Sequence, residues 1–352
     1  MEILPKNKIL RHRGLTFLIA RSISNWGYKH LTKAHVEFNN DLLDLKHKGS
    51  VFLYTGLHRS LWETSGMLSA LNINKLPIPV VGMGDNLIKG KLFVTLAKNT
   101  SVFLVKRGKT RREIVESARE LRKNMYSFMA YGRDVLLFPE GTRTSIPRTG
   151  EYGGFFPTSF DALLEYEKDK KSKSSDLAGI KHFDVNIIPF NCDYSVIREG
   201  RELAGFNAET PRTLKIWDSL KMLKHIKDVY ITFGSPIKVS DHLGKTRKEV
   251  AVMTREKCME LIKILPVNLV ARALVESITE KKYDMESIYK KIEVVMKKLA
   301  IHKDKLRGFS DNSSPEKIFL SVSESIPDFR NPSPEKLSLY RLYSDYINHY
   351  FN

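Results

Sequence analysis

Short apolar runs alternate along this chain with longer stretches in which apolar residues recur every three or four positions. Residues 50–57 (Ser-Val-Phe-Leu-Tyr-Thr-Gly-Leu) and 101–106 (Ser-Val-Phe-Leu-Val-Lys) are runs of the first kind. So are 135–138 (Val-Leu-Leu-Phe), 185–190 (Val-Asn-Ile-Ile-Pro-Phe) and 229–233 (Val-Tyr-Ile-Thr-Phe). Short apolar runs closed by turn residues predict buried strands. From Thr110 to Tyr131, Ile114, Val115, Ala118, Leu121, Met125 and Phe128 recur at helical spacing, with Arg111, Arg112, Glu116, Glu120 and Lys123 between them. That pattern predicts an amphipathic helix stopped at Gly132. A further helix is expected from about Leu61, followed by a loop carrying Pro77, Pro79, Gly82 and Gly84. Strands alternating with helices predict an α/β domain, with a mixed, largely parallel central sheet flanked by helices.

Outside this core the pattern changes. Residues 1–48 read as basic and helical, with Ile9, Leu10, Phe17, Leu18 and Trp26 supplying apolar surface. Two readings stay open for them: an amphipathic helix lying on an anionic leaflet, or a helix packed on the main domain with a solvated basic face. The run 167–176 is dense in Lys, Asp and Ser and predicts a charged loop. Beyond 240 the chain reads as helical to its end, punctuated at 309–315 and from Pro327 to Pro334. The expected organisation is a segment 1–48, a central domain 49–240 and a helical extension 241–352.

Composition narrows the partners. At 352 residues, 42% hydrophobic and 28% charged, the chain can build a core without staples. Its two cysteines, Cys192 and Cys258, stand far apart, so neither a disulfide framework nor a metal site is expected. Lys and Arg number 58 against 40 Asp and Glu, a net charge of +18 that favours polyanions: nucleic acid, anionic lipid or phosphorylated small molecules. The aromatics do not interleave with the basic residues as stacking platforms would, so nucleic acid is not the expected partner. No run approaches the roughly 18–20 apolar residues of a spanning helix. The best N-terminal run, Leu15 to Ala20, ends at Arg21 and is too short for a signal peptide.

Three constellations could carry chemistry, each directly after a predicted strand, where α/β sites are built. His58 with Glu63 five residues on suits a general base and the carboxylate that orients it; one such pair is also about what chance supplies. Phe138-Pro139-Glu140-Gly141-Thr142-Arg143-Thr144 combines a tight turn with backbone donors, a hydroxyl and a guanidinium, a set able to hold a phosphate. The bland reading is a strand-to-loop turn with a surface Arg. Lys106-Arg107 would suit an anion, although a lone dibasic pair is more often solvated.

Taken in order, His58–Glu63, 101–107, Phe138–Arg143 and Ile188-Pro189-Phe190 resemble the four blocks of the glycerolipid acyltransferase family, which includes glycerol-3-phosphate and lysophosphatidate acyltransferases. Phe233-Gly234-Ser235-Pro236-Ile237 resembles a further downstream element, so that the resemblance covers about 50–240 and makes 49–240 the catalytic domain. It implies that His58 takes the proton of an acceptor hydroxyl, with Glu63 orienting it. The hydroxyl attacks the thioester of acyl-CoA or acyl carrier protein, without a covalent acyl-enzyme and without a cofactor. Lys106, Arg107, Glu140, Gly141, Thr142 and Arg143 would form the acceptor site, and Pro189 would lie on the acyl side.

The chain departs from the family pattern in three places. Glu63 stands where Asp is usual, so Glu63→Asp is expected to retain or improve turnover. Ser101 replaces a Gly, and Glu151 follows Arg148-Thr149-Gly150 where a cation is usual. An inactive, membrane-binding relative is therefore a second reading. Lys106-Arg107, 265–274 and 342–351 resemble the glycerol-3-phosphate branch, while Phe-Pro-Glu-Gly-Thr is nearer the lysophosphatidate branch. Glycerol 3-phosphate is the favoured acceptor, and the expected location is the cytoplasmic face of a membrane, peripheral or monotopic.

Overall fold

The computed structural model describes residues 22, 33–60, 62–85, 102–106, 108–141, 155–172, 177, 181–197, 200–204, 228–309 and 313–351. Among them, eight strands form one sheet. They are β1 (Lys33–Glu37), β2 (Val51–Gly56), β3 (Val80–Gly84), β4 (Val102–Val105), β5 (Val135–Leu137), β6 (Val185–Tyr194), β7 (Asp228–Phe233) and β8 (Ile237–Lys238). The spatial order is β1-β7-β6-β2-β5-β3-β4, with β8 beside β6. Every pairing is parallel except β6 with β7 and β6 with β8, which are antiparallel. The mixed, largely parallel α/β sheet expected from the pattern is the sheet found. β2, β5 and β6 are buried along their whole length, as central strands covered on both faces must be.

The helices that cover or extend the sheet begin with α1 (Asp41–His47), α2 (Glu63–Ile73), α3 (Arg111–Ala130) and α4 (Thr158–Ser172). α3 starts where the sequence placed it, because Thr110 accepts from the Glu113 amide at 3.2 Å while Glu113 accepts back from the Thr110 amide at 3.1 Å. After the sheet come α5 (Arg247–Met259), α6 (Pro266–Thr279), α7 (Met285–Leu299), α8 (Pro315–Ser325) and α9 (Leu337–Ser344), the last followed by a 3-10 turn at Asp345–Tyr350. α6 is the hub of this extension, with nine of its residues buried against α7, α8 and α9. The extension shares one continuous hydrophobic core with the sheet.

Three expectations need correction. Residues 33–37 are a strand and not part of a helical segment 1–48; they join the sheet through β7. Residues 80–84, read as loop, are β3. Residues 167–172 are the last turns of α4 rather than loop; Glu167 is buried there and accepts from the Val185 amide at 2.9 Å. The amphipathic character expected of residues 1–32 falls, residue 22 apart, outside the described residues, as do 173–176 of the charged run.

β6 overshoots β2. Its pairing with β2 ends at Phe190, opposite Gly56, and Asn191 to Tyr194 pair with β7 alone. On this overhang Asp193 is buried, and burial pushes its carboxyl up to about 7, opposed by the Lys263 amide, the nearby Arg59 and Asn191. An unfolded Asp titrates near 4, so between about 4 and 7 the folded chain binds the extra proton. The stability this group lends is therefore full below about 4 and is lost as pH rises to about 7. Asp193→Asn keeps an acceptor for the Lys263 and Asn191 donors and should lack this slope. Urea unfolding at pH 5 and pH 8 should show the variant gaining on the wild type at the higher pH by roughly 3 kcal/mol. An identical difference at both pH values would mean that Asp193 is ionised throughout.

Candidate active site

The site is built at the carboxyl end of β2. Gly56 closes that strand against β6 so tightly that a Cβ there would meet the Phe190 carbonyl oxygen at 2.6 Å. Two residues later stands His58, partly open to solvent, and Glu63 is the first residue of α2. The Glu63 carboxylate turns back over the connecting loop. One oxygen accepts from the amides of Arg59 at 2.6 Å and Ser60 at 3.0 Å. The other accepts from His58 Nδ1 at 2.7 Å. Burial pushes the Glu63 carboxyl above its ordinary value, against the hydrogen bonds from His58 and the two amides. With Nδ1 given to Glu63, the proton-accepting lone pair of the imidazole lies on Nε2, the opposite edge of the ring.

The third and fourth blocks converge on this histidine. Phe138, just past β5, stacks on the His58 ring at 4.4 Å between centroids and 19° between planes. Phe190 of β6 meets Phe138 edge-on at 5.7 Å. The chain then turns sharply at Gly141, where φ is +68° and the amide donates to the Phe138 carbonyl at 3.2 Å. The positive φ explains a glycine at this position. The Pro139 carbonyl accepts from the Phe156 amide at 2.9 Å, which ties the turn to the segment entering α4. Glu140 is buried within it.

Sequence reading missed Arg255 on α5. Its guanidinium lies within electrostatic reach of Glu140; burial lowers its pKa and Glu140 opposes the shift. Its Nε is buried without a hydrogen-bond partner. One helical turn on, the Cys258 thiol donates to the Thr55 carbonyl at 3.5 Å, so this face of α5 rests on the end of β2. Arg255 is one of 58 cations in the chain and belongs to no motif, so no sequence signal marked it.

The remaining candidates divide. Lys106 directly follows β4 at the sheet edge, largely exposed, and pairs with Glu120 of α3 at 2.9 Å. Two strands separate β4 from β2, which puts Lys106 about 14 Å across the sheet from the His58 strand. The structure therefore does not bring Lys106 to the histidine. Pro189 is buried in β6 opposite Thr55, and its carbonyl accepts from Gly234 at 2.8 Å. That is the gap where the β7–β8 connection leaves the ladder, so a residue lacking an N–H is tolerated in a central strand. Arg107, Thr142 and Arg143 lie outside the described residues, as do Ser101 and 148–151. Among the described residues, no cluster of His, Cys, Asp and Glu is placed to hold a metal ion.

Residues 37–192 match the family model described as Acyltransferase. The matched segment runs from the end of β1 into β6 and includes His58, Glu63 and the Phe138–Gly141 turn. No curated protein matches the chain. Residues 37–192 are thus an acyltransferase domain of the glycerolipid acyltransferase family, and the protein is an acyltransferase.

Proposed function

We infer that the enzyme transfers a fatty acyl group from acyl-CoA or acyl carrier protein to a hydroxyl of glycerol 3-phosphate, as a step of phospholipid synthesis. The observation that carries the reading is the 2.7 Å contact of His58 Nδ1 with buried Glu63 at the end of β2. Nε2 takes the proton as the acceptor hydroxyl attacks the thioester carbonyl. The Glu63 carboxylate stabilises the imidazolium so formed. The tetrahedral intermediate collapses with breaking of the C–S bond, and the imidazolium returns its proton to the leaving thiolate. No acyl-enzyme is needed, since the acceptor oxygen itself is the nucleophile.

The acceptor phosphate is assigned to Arg107, Thr142 and Arg143, next to the Gly141 turn. Lys106 is a weaker member of that set, given its pairing with Glu120. Lysophosphatidate is the alternative acceptor, favoured by the Phe-Pro-Glu-Gly-Thr wording of 138–142. Among the described residues no helix is long and apolar enough to cross a membrane. The +18 charge supports peripheral attachment to an anionic leaflet on the cytoplasmic side.

Purified enzyme supplied with mixed acyl donors and, separately, glycerol 3-phosphate, lysophosphatidate and dihydroxyacetone phosphate should give 1-acylglycerol 3-phosphate as the main product by mass. Phosphatidate as the main product would move the assignment to the second acylation. Arg143→Ala should raise the acceptor KM roughly tenfold or more while leaving the donor KM near wild type, as expected for loss of a charge-assisted phosphate contact. An effect confined to the donor would remove Arg143 from the phosphate site.

A further inference from the structure

The loop between His58 and Glu63 is gripped from the far end of the chain. Arg59 is 3% exposed although it is charged and adjoins the site. Its guanidinium carbon sits 3.3 Å from the ring centroid of Tyr346. Its Nη2 donates to the Leu342 carbonyl at 3.4 Å. Both partners belong to the C-terminal element formed by α9 and the 3-10 turn after it.

Tyr346 is held in turn. It is 1% exposed, and its hydroxyl donates to Asn191 Oδ1 at 2.8 Å. Asn191 Nδ2 donates to Asp193 Oδ2 at 2.8 Å, and Asp193 also accepts from the Lys263 amide at 3.0 Å. Both Asn191 and Asp193 stand on the overhang of β6 beyond β2. The C-terminal element is further fixed to α6, where Asn268 Nδ2 donates to the Tyr343 carbonyl at 2.9 Å and Arg272 to Asn348 at 2.8 Å.

We propose that Tyr346 and Arg59 are positioning residues for acyl transfer, and that the 3-10 turn carrying Tyr346 is a working part of the catalytic centre. The Arg59 side chain is clamped by Tyr346, and the Arg59 backbone amide is the closer of the two amide donors to the Glu63 carboxylate. Holding the side chain fixes the amide, and the amide fixes the carboxylate that aims the His58 ring. A flat guanidinium on an aromatic face is a stiff contact when desolvated, which suits a clamp better than a flexible ammonium would. The inference rests on His58 being the general base.

The test compares kcat and KM across four variants. Tyr346→Leu removes the ring face and should lower kcat ten- to a hundredfold with both KM values within about twofold, the signature of a misaimed base rather than a lost binding contact. Tyr346→Phe keeps the face and should stay within about threefold of wild type. Arg59→Lys should reproduce the Tyr346→Leu loss, and the double variant should be no worse than either single one, because both break the same clamp. Tyr340→Leu, an equally buried aromatic of α9, should lower Tm comparably and leave kcat near wild type. Wild-type kcat in folded Tyr346→Leu overturns the inference, and so does an equal kcat loss in Tyr340→Leu. If His58→Ala keeps its turnover, the base reading itself fails; if His58 is required while Tyr346→Leu is fully active, only the clamp fails.

Discussion

Replacing His58 with Ala should lower the rate of acyl transfer by roughly 10³-fold, within the range a general base contributes, while the protein remains folded. The ring is partly exposed; among the described residues it bonds to Glu63 and stacks on Phe138. Its removal therefore opens a surface notch rather than a core cavity, and a Tm drop of a few degrees is expected. The variant also leaves Glu63 buried without its imidazole partner, and that carboxyl should climb further above its ordinary value because burial is already its dominant influence. His58→Gln separates the two consequences. The amide can still donate to Glu63, restoring much of the local hydrogen bonding, but it cannot take a proton at neutral pH. Both variants should be equally slow in steady-state assays, with KM values for donor and acceptor near wild type. Turnover near normal in either variant would remove His58 from the base role.

What the sequence could convey about this fold depended on which physical term fixed each element. The strands that run through the core were legible because burial on both faces leaves a bare apolar run, as in β2 and β6. β3 was hidden by its own packing. Gly82 lowers strand propensity, yet it suits close packing here: a Cβ would meet the Leu137 side-chain end at 2.5 Å and the Phe103 ring at 2.9 Å, and both would have to shift to admit it. β1 was hidden by its position at the sheet's edge, where Lys33, His35 and Glu37 are tolerated; His35 stacks on Tyr230 at 4.5 Å, and Glu37 accepts from Arg307 at 2.6 Å. The run 167–176 was read from charge alone, and its charge is partly internal to the fold: Lys170 pairs with Glu167 at 2.8 Å and Asp184 at 2.9 Å. At the site, His58, Glu63, Phe138 and Gly141 were legible because they fall within short local motifs. Arg255 on α5 and Tyr346 on the 3-10 turn after α9 reach the same place through tertiary packing; Arg255 carries no local pattern, and the resemblance of 342–351 did not point Tyr346 to the His58 loop. The segments 265–274 and 342–351 lie far apart in the sequence, and the hydrogen bonds of Asn268 and Arg272 join them into one unit.

Glu63→Gln should be nearly as damaging as loss of the histidine, by roughly 10³-fold, and for a reason specific to this geometry. Glu63 is wholly buried, and its two oxygens serve three donors. A glutamine can offer its single carbonyl to the Arg59 and Ser60 amides, but its NH2 then faces His58 Nδ1. That arrangement favours the tautomer with the proton on Nε2, the nitrogen that must accept the substrate's proton, and the base is blocked without any change of shape. Stability should hardly fall, since a neutral amide replaces a carboxylate that burial disfavours. Glu63→Asp poses the complementary question. The family pattern favours an equal or better enzyme, whereas the geometry argues for a slower one. An aspartate at the first position of α2 is shorter by about 1.5 Å, so it cannot keep contacts of 2.6 and 2.7 Å on opposite sides unless the loop moves inward. The loop is restrained, because Arg59 is clamped against Tyr346 at 3.3 Å. The expected result is a roughly tenfold loss in kcat with KM values unchanged. A fully active Glu63→Asp enzyme would show that the loop relaxes by the missing methylene and that the clamp on Arg59 is looser than its contacts imply.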